Sequence, residues 1–239
     1  MIYRQSLKLL SSDVDMYRRL RLSRLFTLFQ EAAIAHTEAL GMGREKTLDK
    51  GVLWALTMQR VIVRRLPEYD EAIELSSWPG ETMHVLFPRY YRLTDSRGET
   101  LVDSSALWVL MDAQTRGRVY PDDYGIAVPG VKLGGEPPLP RVLGMPGAGE
   151  VPFTVPYSYV DLNGHMNNAR LLDLAEDLMP PALRAQPVGS IEAEYRAEAK
   201  PGETLMLRAQ QDGSLFNRAG DGAGGRRVFN LWLEYADEA

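Results

Sequence analysis

The chain has 239 residues, of which 45% are hydrophobic and none is cysteine. It is long enough for one large or two small domains with a real core, and the missing cysteines exclude disulfides, thiolate zinc sites and a cysteine nucleophile. The net charge of −5, the lack of a membrane-length apolar run and an N-terminus without a signal-peptide pattern predict a cytoplasmic protein with no nucleic-acid partner and no membrane span.

The first predicted elements are a short strand and a long helix. We expect a strand at Leu7–Leu10, a turn at Ser11–Asp15 and a helix that begins near Leu20 and ends near Gly41. Apolar side chains follow helical spacing on one face, at Leu22, Leu25, Phe26, Phe29, Ala32, Ala33 and His36. A core role explains His36 on this face better than a catalytic one.

A run of predicted strands follows the helix. They cover Leu53–Arg64, Ala72–Trp78, Val85–Thr94 and Thr100–Met111, and turn residues separate them. A long helix followed by antiparallel strands is typical of an α+β domain in which the helix packs on a curved sheet.

Proline and glycine are concentrated between Pro121 and Pro152, which predicts a surface connection between two domains. We therefore expect an N-terminal domain at 1–128, a linker at 129–151 and a C-terminal domain at 152–239.

The elements after the linker repeat the first order in shortened form. We expect a strand at Val151–Tyr159, a helix at Asn167–Met179 and strands at Ile191–Ala199, Thr204–Gln210 and Arg227–Tyr235. An internal duplication of one helix-plus-sheet unit is the natural inference.

The segment Asp161–Asn168 joins the predicted strand to the second helix and is dense in polar groups. It holds one acid, three amides, a histidine and Gly164, which lets the backbone turn sharply. Backbone N–H groups at a helix start can stabilise an oxyanion, so the segment is a candidate for catalysis. The alternative is a capped helix start with no chemistry.

The run Asp161-Leu162-Asn163-Gly164-His165-Met166-Asn167-Asn168 resembles the D-x-N-x-H-x-N-N signature of acyl-ACP thioesterases. Similar agreement is found at Gln30–Ala33, at Gly51–Met58, at Leu107–Asp112 and at Glu194–Ala199, in the same order as in the family. The resemblance implies two tandem hotdog domains, each a long helix wrapped by a curved antiparallel sheet, and a thiolester hydrolase of fatty-acid biosynthesis. No cofactor is expected, and the wide spacing of His36, His84 and His165 predicts no metal site.

The family's catalytic residues correspond to Asp161, Asn163, His165 and Glu198. Many members carry a cysteine after that glutamate, but this chain has Ala199, so the chemistry must proceed without a thiol. Glu198, alone or through His165, is the expected base for a water molecule. Direct attack by water is favoured over attack by the Glu198 carboxylate through an anhydride.

Further roles follow from the resemblance and the segment together. N–H groups near Gly164, Met166 and Asn167 are expected to bind the substrate oxyanion. Candidate residues for lining the acyl pocket are Phe26, Phe29, Trp54 and Met58, with a plain core role as the alternative for each.

An acidic acyl carrier protein with its phosphopantetheine-linked chain is the expected partner. Two basic clusters are candidates for docking it, although an ordinary solvated side chain is the favoured interpretation for any single arginine. They are Arg18, Arg19, Arg21 and Arg24, and Arg60, Arg64 and Arg65. An acyl-CoA thioesterase and a non-catalytic acyl-binding protein are the alternative functions, and a homodimer is compatible with the sequence.

Overall fold

Ten strands form one antiparallel sheet in the computed structural model, which describes residues 1–140 and 150–235. The strands are β1 (Tyr3–Lys8), β2 (Val52–Val63), β3 (Ala72–Pro79), β4 (Phe87–Asp95), β5 (Thr100–Asp112), β6 (Val151–Thr154), β7 (Val188–Tyr195), β8 (Thr204–Asp212), β9 (Leu215–Asp221) and β10 (Arg227–Tyr235). The α-helices are α1 (Leu22–Ala39), α2 (Arg170–Asp177) and α3 (Pro181–Ala185).

The strand order is β1-β3-β4-β5-β2-β7-β10-β9-β8-β6. Read outward from the central pair β2 and β7, both halves show the same order of equivalent strands, and each half has a helix between its first two strands in the chain. The predicted α+β class and the predicted repetition of one unit are both confirmed. Residues 141–149 of the predicted linker lie outside the described residues.

Helix α1 buries the face predicted from its apolar spacing. Leu25, Phe29 and His36 are almost fully buried against the sheet. The helix ends where Gly41 adopts φ +70°, a conformation that costs glycine little and other residues more. Sequence spacing was sufficient here because one face of the helix packs on the core and the other does not.

Several predicted boundaries move in the structure. The first strand is Tyr3–Lys8, paired along its length with β3, rather than Leu7–Leu10. Strand β6 ends at Thr154, before Pro156. Strand β7 ends at Tyr195, because the next two N–H groups donate to a single carbonyl, that of Val228, and the chain leaves the ladder. Glu198 therefore lies in the loop after β7 rather than on a strand.

Strand β9 and helix α3 are not among the elements predicted from the sequence. Strand β9 carries Asn217, Arg218 and Asp221 as buried polar residues, so its sequence does not show the apolar alternation of an ordinary strand. Asp221 forms an ion pair with Arg227 on β10, which satisfies the carboxylate inside the sheet.

Arg19 connects the first half to the second. Its Nη2 forms an ion pair with Asp15 at 2.9 Å and donates to the Arg184 carbonyl at 2.9 Å. Its Nη1 donates to the Gln186 carbonyl at 3.0 Å, so one guanidinium satisfies carbonyls at the end of α3.

Glu176 on α2 faces the same region, and burial, with smaller effects of Asp173 and Asp15, raises its pKa to about 7.

We expect Glu176→Gln to stabilise the protein at alkaline pH. The folded-state pKa of about 7 exceeds the reference value of 4.5, so the stabilising proton is lost as pH rises through the folded pKa. The glutamine side chain has no such proton to lose. The free energy of unfolding of Glu176→Gln should therefore exceed that of wild type by on the order of 1–3 kcal/mol at pH about 8 and differ little from it near pH about 4. Urea unfolding at both pH values measures this.

The matched control is Asp177→Asn, which removes an exposed carboxylate of the same helix. Its stability relative to wild type should change little with pH. Equal stability of wild type and Glu176→Gln at pH about 8 would contradict the raised pKa of Glu176.

Candidate active site

The polar segment of the second half folds into a tight turn. The Gly164 N–H donates to the Asp161 carbonyl at 3.0 Å, and the Asp161 N–H donates to the His165 carbonyl at 3.0 Å. One carboxylate oxygen of Asp161 accepts the Asn163 N–H at 2.9 Å. Gly164 has φ +79°, which the turn requires between Asn163 and His165.

Two backbone contacts anchor this turn. The Met166 N–H donates to the Ala199 carbonyl at 2.8 Å, and the Asn167 N–H donates to the Tyr159 carbonyl at 2.9 Å. The first bond ties the turn to the loop that carries Glu198. The Asn167 side chain accepts the Ala169 N–H at 2.8 Å, so Asn167 lies outside the helix, which begins at Arg170 and not at the predicted Asn167.

The expected oxyanion role of Gly164, Met166 and Asn167 needs correction. Each of these N–H groups already donates to a protein carbonyl, and none belongs to the first turn of α2. In this structure the three residues shape and anchor the turn. The Asn163 side-chain amide, which lines the cavity beside this turn, is the alternative candidate donor.

His165 and Glu198 meet although they are far apart in sequence. His165 Nε2 lies 3.6 Å from Glu198 Oε1, and the side chains are 21% and 32% exposed. His165 Nδ1 lies 3.2 Å from the Met166 carbonyl, which only accepts, so Nδ1 carries a proton. In neutral His165 the basic nitrogen is then Nε2, the atom directed at the carboxylate.

Arg116 reaches the same carboxylate from the first half of the chain. Its Nη1 lies 3.4 Å from Glu198 Oε1. Arg116 has φ +59° in the turn after β5, where Asp112 accepts the Thr115 N–H at 2.7 Å. Arg116 could not be predicted from the sequence, because nothing in a surface turn indicates which distant carboxylate it will approach.

A cavity of about 550 Å³ lies beside this turn. Its walls come mainly from the first half, where α1 contributes both polar and apolar side chains and β2 and β4 contribute Leu53, Trp54 and Phe87, and Asp161, Asn163 and Asn167 also line it. The volume is within the range of roughly 300–1,000 Å³ usual for small-molecule sites. The two halves therefore contribute different parts: an apolar cavity and a polar turn.

Of the predicted pocket residues, Trp54 lines this cavity and packs edge-on against Phe87 at 4.8 Å between ring centres. Phe26 and Phe29 belong to the buried core, and Met58 is not among the lining residues. The reason is the rotation of α1: its phenylalanines face the main core, and a neighbouring stripe that includes Ile34 and Thr37 faces the cavity.

The predicted basic clusters are largely engaged within the protein. Arg24 pairs with Asp13 at 2.8 Å, and Arg19 is held by Asp15. In the second cluster Arg64 pairs with Asp103, Arg65 with Glu71 and Arg60 with Glu192, at 2.9, 2.8 and 3.8 Å.

Within residues 1–140 and 150–235, no group of three or more acidic, histidine or cysteine side chains is arranged to hold a metal ion.

Family models match both halves. The acyl-ACP thioesterase N-terminal domain matches residues 1–124, and the C-terminal domain of the same family matches residues 148–219. The chain belongs to the acyl-ACP thioesterase family. This confirms the family resemblance drawn from the Asp161–Asn168 segment.

Relatives and solved structures agree with this assignment. An acyl-[acyl-carrier-protein] hydrolase of Cuphea viscosissima is 23% identical over 100% of this chain and 61% of that protein. A palmitoyl-acyl carrier protein thioesterase of Cuphea hookeriana is also 23% identical, over 100% of this chain and 60% of its own length. The chain thus spans about three fifths of the length of these plant relatives.

Two solved thioesterases show the same fold. An acyl-ACP thioesterase from Bacteroides thetaiotaomicron has a TM-score of 0.83 at 21% identity and covers 98% of both chains. The 12:0-ACP thioesterase from Umbellularia californica has a TM-score of 0.80 at 20% identity, over 98% of this chain and 97% of that one. The tandem hotdog architecture is thereby confirmed for this member of the acyl-ACP thioesterase family.

We expect Gly164→Ala to impair turnover more than stability. A side chain at φ +79° meets no atom within 4 Å, so backbone strain of about 1–2 kcal/mol is the main cost. That strain falls on the turn between Asn163 and His165 and should displace both. Thermal unfolding and steady-state hydrolysis of a thioester measure the two effects.

Gly213→Ala is the matched control, since Gly213 has φ +57° and equally open surroundings in the turn between β8 and β9. It should lose similar stability with turnover retained. Full activity of Gly164→Ala would show that the geometry of the 161–165 turn does not matter for the reaction.

Proposed function

We propose that this chain hydrolyses the thioester of a fatty acyl-[acyl carrier protein], releasing free fatty acid and the carrier and so ending fatty-acid synthesis. The observation that carries the proposal is the 3.6 Å approach of His165 Nε2 to Glu198 Oε1 beside a turn that also lines an apolar cavity. An acyl chain in the cavity would bring its thioester to the polar groups of the turn.

In the proposed reaction a water molecule attacks the thioester carbonyl carbon. His165 Nε2, assisted by Glu198, takes a proton from this water, and the imidazolium that forms faces the carboxylate. The Asn163 amide donates to the carbonyl oxygen as it becomes negative, and Asp161 holds the Asn163 backbone. The carbon–sulfur bond then breaks, and the leaving thiolate receives the proton from His165.

Glu198 is better suited to act on water than to attack the substrate. The same oxygen, Oε1, is approached by His165 at 3.6 Å and by Arg116 at 3.4 Å. These neighbours favour the carboxylate in a fixed position, whereas a nucleophile must itself reach the carbonyl carbon. Arg116 is accordingly a positioning residue in this proposal.

The carrier protein is the proposed partner because the family and the named plant relatives act on acyl carrier proteins. An acyl-CoA thioesterase of the same fold is the alternative. The ion pairs of Arg19, Arg24, Arg64 and Arg65 make these residues poor candidates for docking, because a partner would have to compete with carboxylates already in place.

Location and assembly remain predictions from the sequence. None of the helices in the described residues combines the length and apolar character needed to cross a membrane. The pairing of β2 with β7 unites both halves within one chain. We keep a cytoplasmic location as our proposal, and a homodimer as one that sedimentation would test.

The proposed activity is tested with one acyl chain on two carriers. We expect kcat/KM for the acyl-ACP to exceed that for the acyl-CoA by roughly tenfold or more, because only the former presents a protein surface. Equal rates on both carriers would favour the acyl-CoA alternative. Binding of the acyl chain without turnover on either carrier would favour a non-catalytic acyl-binding protein.

We expect His165→Ala and Glu198→Ala each to lower kcat by roughly 10²–10⁴-fold while the protein stays folded. The two side chains act as one unit, so the double variant should be little worse than either single one. Glu45→Ala, which removes an exposed carboxylate, is the control for a mere change of charge. Near-wild-type kcat in either single variant would remove that residue from the site.

Single turnover in ¹⁸O-labelled water, with enzyme in excess, separates the two routes of attack. Direct attack by water should place the label in the fatty acid and none in the enzyme. Label in the Glu198 carboxylate, detected by peptide mass, would instead establish an anhydride opened on the enzyme side. Hydroxylamine trapping reveals an anhydride opened at the acyl carbonyl, which the label alone would miss.

A further inference from the structure

The cavity wall contains a buried arginine that the proposed chemistry does not use. Arg89 lies on β4, is 7% exposed and lines the cavity. Taking a guanidinium out of water is costly, and buried arginines usually contact a carboxylate. The buried charge of Arg89 therefore requires a group that balances it.

The contacts of Arg89 are all with neutral groups. Its Nη1 lies 3.0 Å from His36 Nδ1 and donates to Ser77 Oγ at 3.1 Å, and its Nη2 donates to Thr37 Oγ1 at 3.1 Å. Burial, followed by the charge of Arg89, lowers the pKa of His36 to about 4, so this histidine is neutral near pH 7. No carboxylate forms an ion pair with Arg89 anywhere in residues 1–140 and 150–235.

Part of the guanidinium also lacks hydrogen-bond partners. It has five N–H groups, and the three contacts use both on Nη1 and one on Nη2. For Nε–H and the second N–H of Nη2, the described part of the chain supplies no acceptor. These two nitrogens share one edge of the planar group, and such an edge can bind both oxygens of a carboxylate.

Arg89 and the reactive turn both line the cavity but come from different halves of the chain. Strand β4 is three steps from β7 in the sheet, by way of β5 and β2, which corresponds to about 14 Å across the sheet at roughly 4.8 Å per step. The register places Arg89 level with Ala193, five residues before Glu198, so a further distance along the strands is added. At roughly 1.2 Å per bond, as in an extended backbone, an acyl chain needs about twelve bonds or more to span this separation.

We propose that Arg89 forms a subsite for a carboxylate at the far end of the acyl chain, so that the preferred substrates are thioesters of long dicarboxylic acids. This inference rests on the proposed thioesterase function. A terminal carboxylate supplies the negative charge that Arg89 lacks and accepts its two unused N–H groups. The apolar residues that line the same cavity, among them Leu53, Trp54 and Phe87, hold the methylene chain.

The test compares dodecanoyl-ACP with its ω-carboxy analogue, dodecanedioyl-ACP, on the full chain. Wild type should favour the ω-carboxy chain in kcat/KM, and Arg89→Met should lower that preference by roughly 10–100-fold. Arg89→Lys should retain part of this preference, because the lysine ammonium keeps the positive charge but lacks the paired N–H groups of a guanidinium. Arg44→Met is the matched control, since Arg44 also lines the cavity but is exposed and pairs with Asp49; it should leave the preference unchanged.

A wild-type preference for the plain chain, or a preference that persists in folded Arg89→Met, would overturn the proposal. If Arg89→Met fails to fold, calorimetric binding to wild type decides: dodecanedioic acid should bind more tightly than dodecanoic acid, and equal or weaker binding rejects the subsite. The same titration separates the two hypotheses. Absence of hydrolysis with tight diacid binding would reject the thioesterase function and keep the subsite.

Discussion

The antiparallel pairing of β2 with β7 is the contact on which the rest of the structure depends. Met58 lies opposite Glu194 and Ile62 opposite Ser190, and this ladder merges two five-stranded halves into one sheet. Strand β7 leads to Glu198, and the other edge of β2 pairs with β5, which leads to the turn of Arg116. The registers of these two ladders on β2 therefore set the approach of Arg116 to Glu198.

A buried polar contact crosses this ladder. Glu192 on β7 is buried and lies 3.8 Å from Arg60 on β2, the residue opposite it in the register. Such a contact adds little net stability, but a slip of β7 along β2 by one residue would separate these two charges. The neighbouring Glu194 accepts from Asn230 on β10 at 2.8 Å, so this second contact holds β7 to β10 instead.

The parts of the molecule that could be predicted from the sequence are those where local pattern and burial agree. Helix α1 and strand β10 show the period of their buried faces, and the Asp161–Asn168 segment holds its polar groups within one turn. The rest depended on contacts between distant residues. Strand β9 pairs its polar residues internally, Arg116 approaches Glu198 from the other half, and the rotation of α1 turns Phe26 and Phe29 away from the cavity.

His36 and His165 show how surroundings assign different tasks to one side chain. His36 is fully buried, and the low pKa that burial imposes makes it a neutral acceptor for Arg89. His165 is partly exposed, donates through Nδ1 to a carbonyl and directs Nε2 at a carboxylate. A base must accept a proton and give it up during one turnover, which requires access for water and a partner for the cation. Only His165 has both, although His36 lies on the better predicted helix.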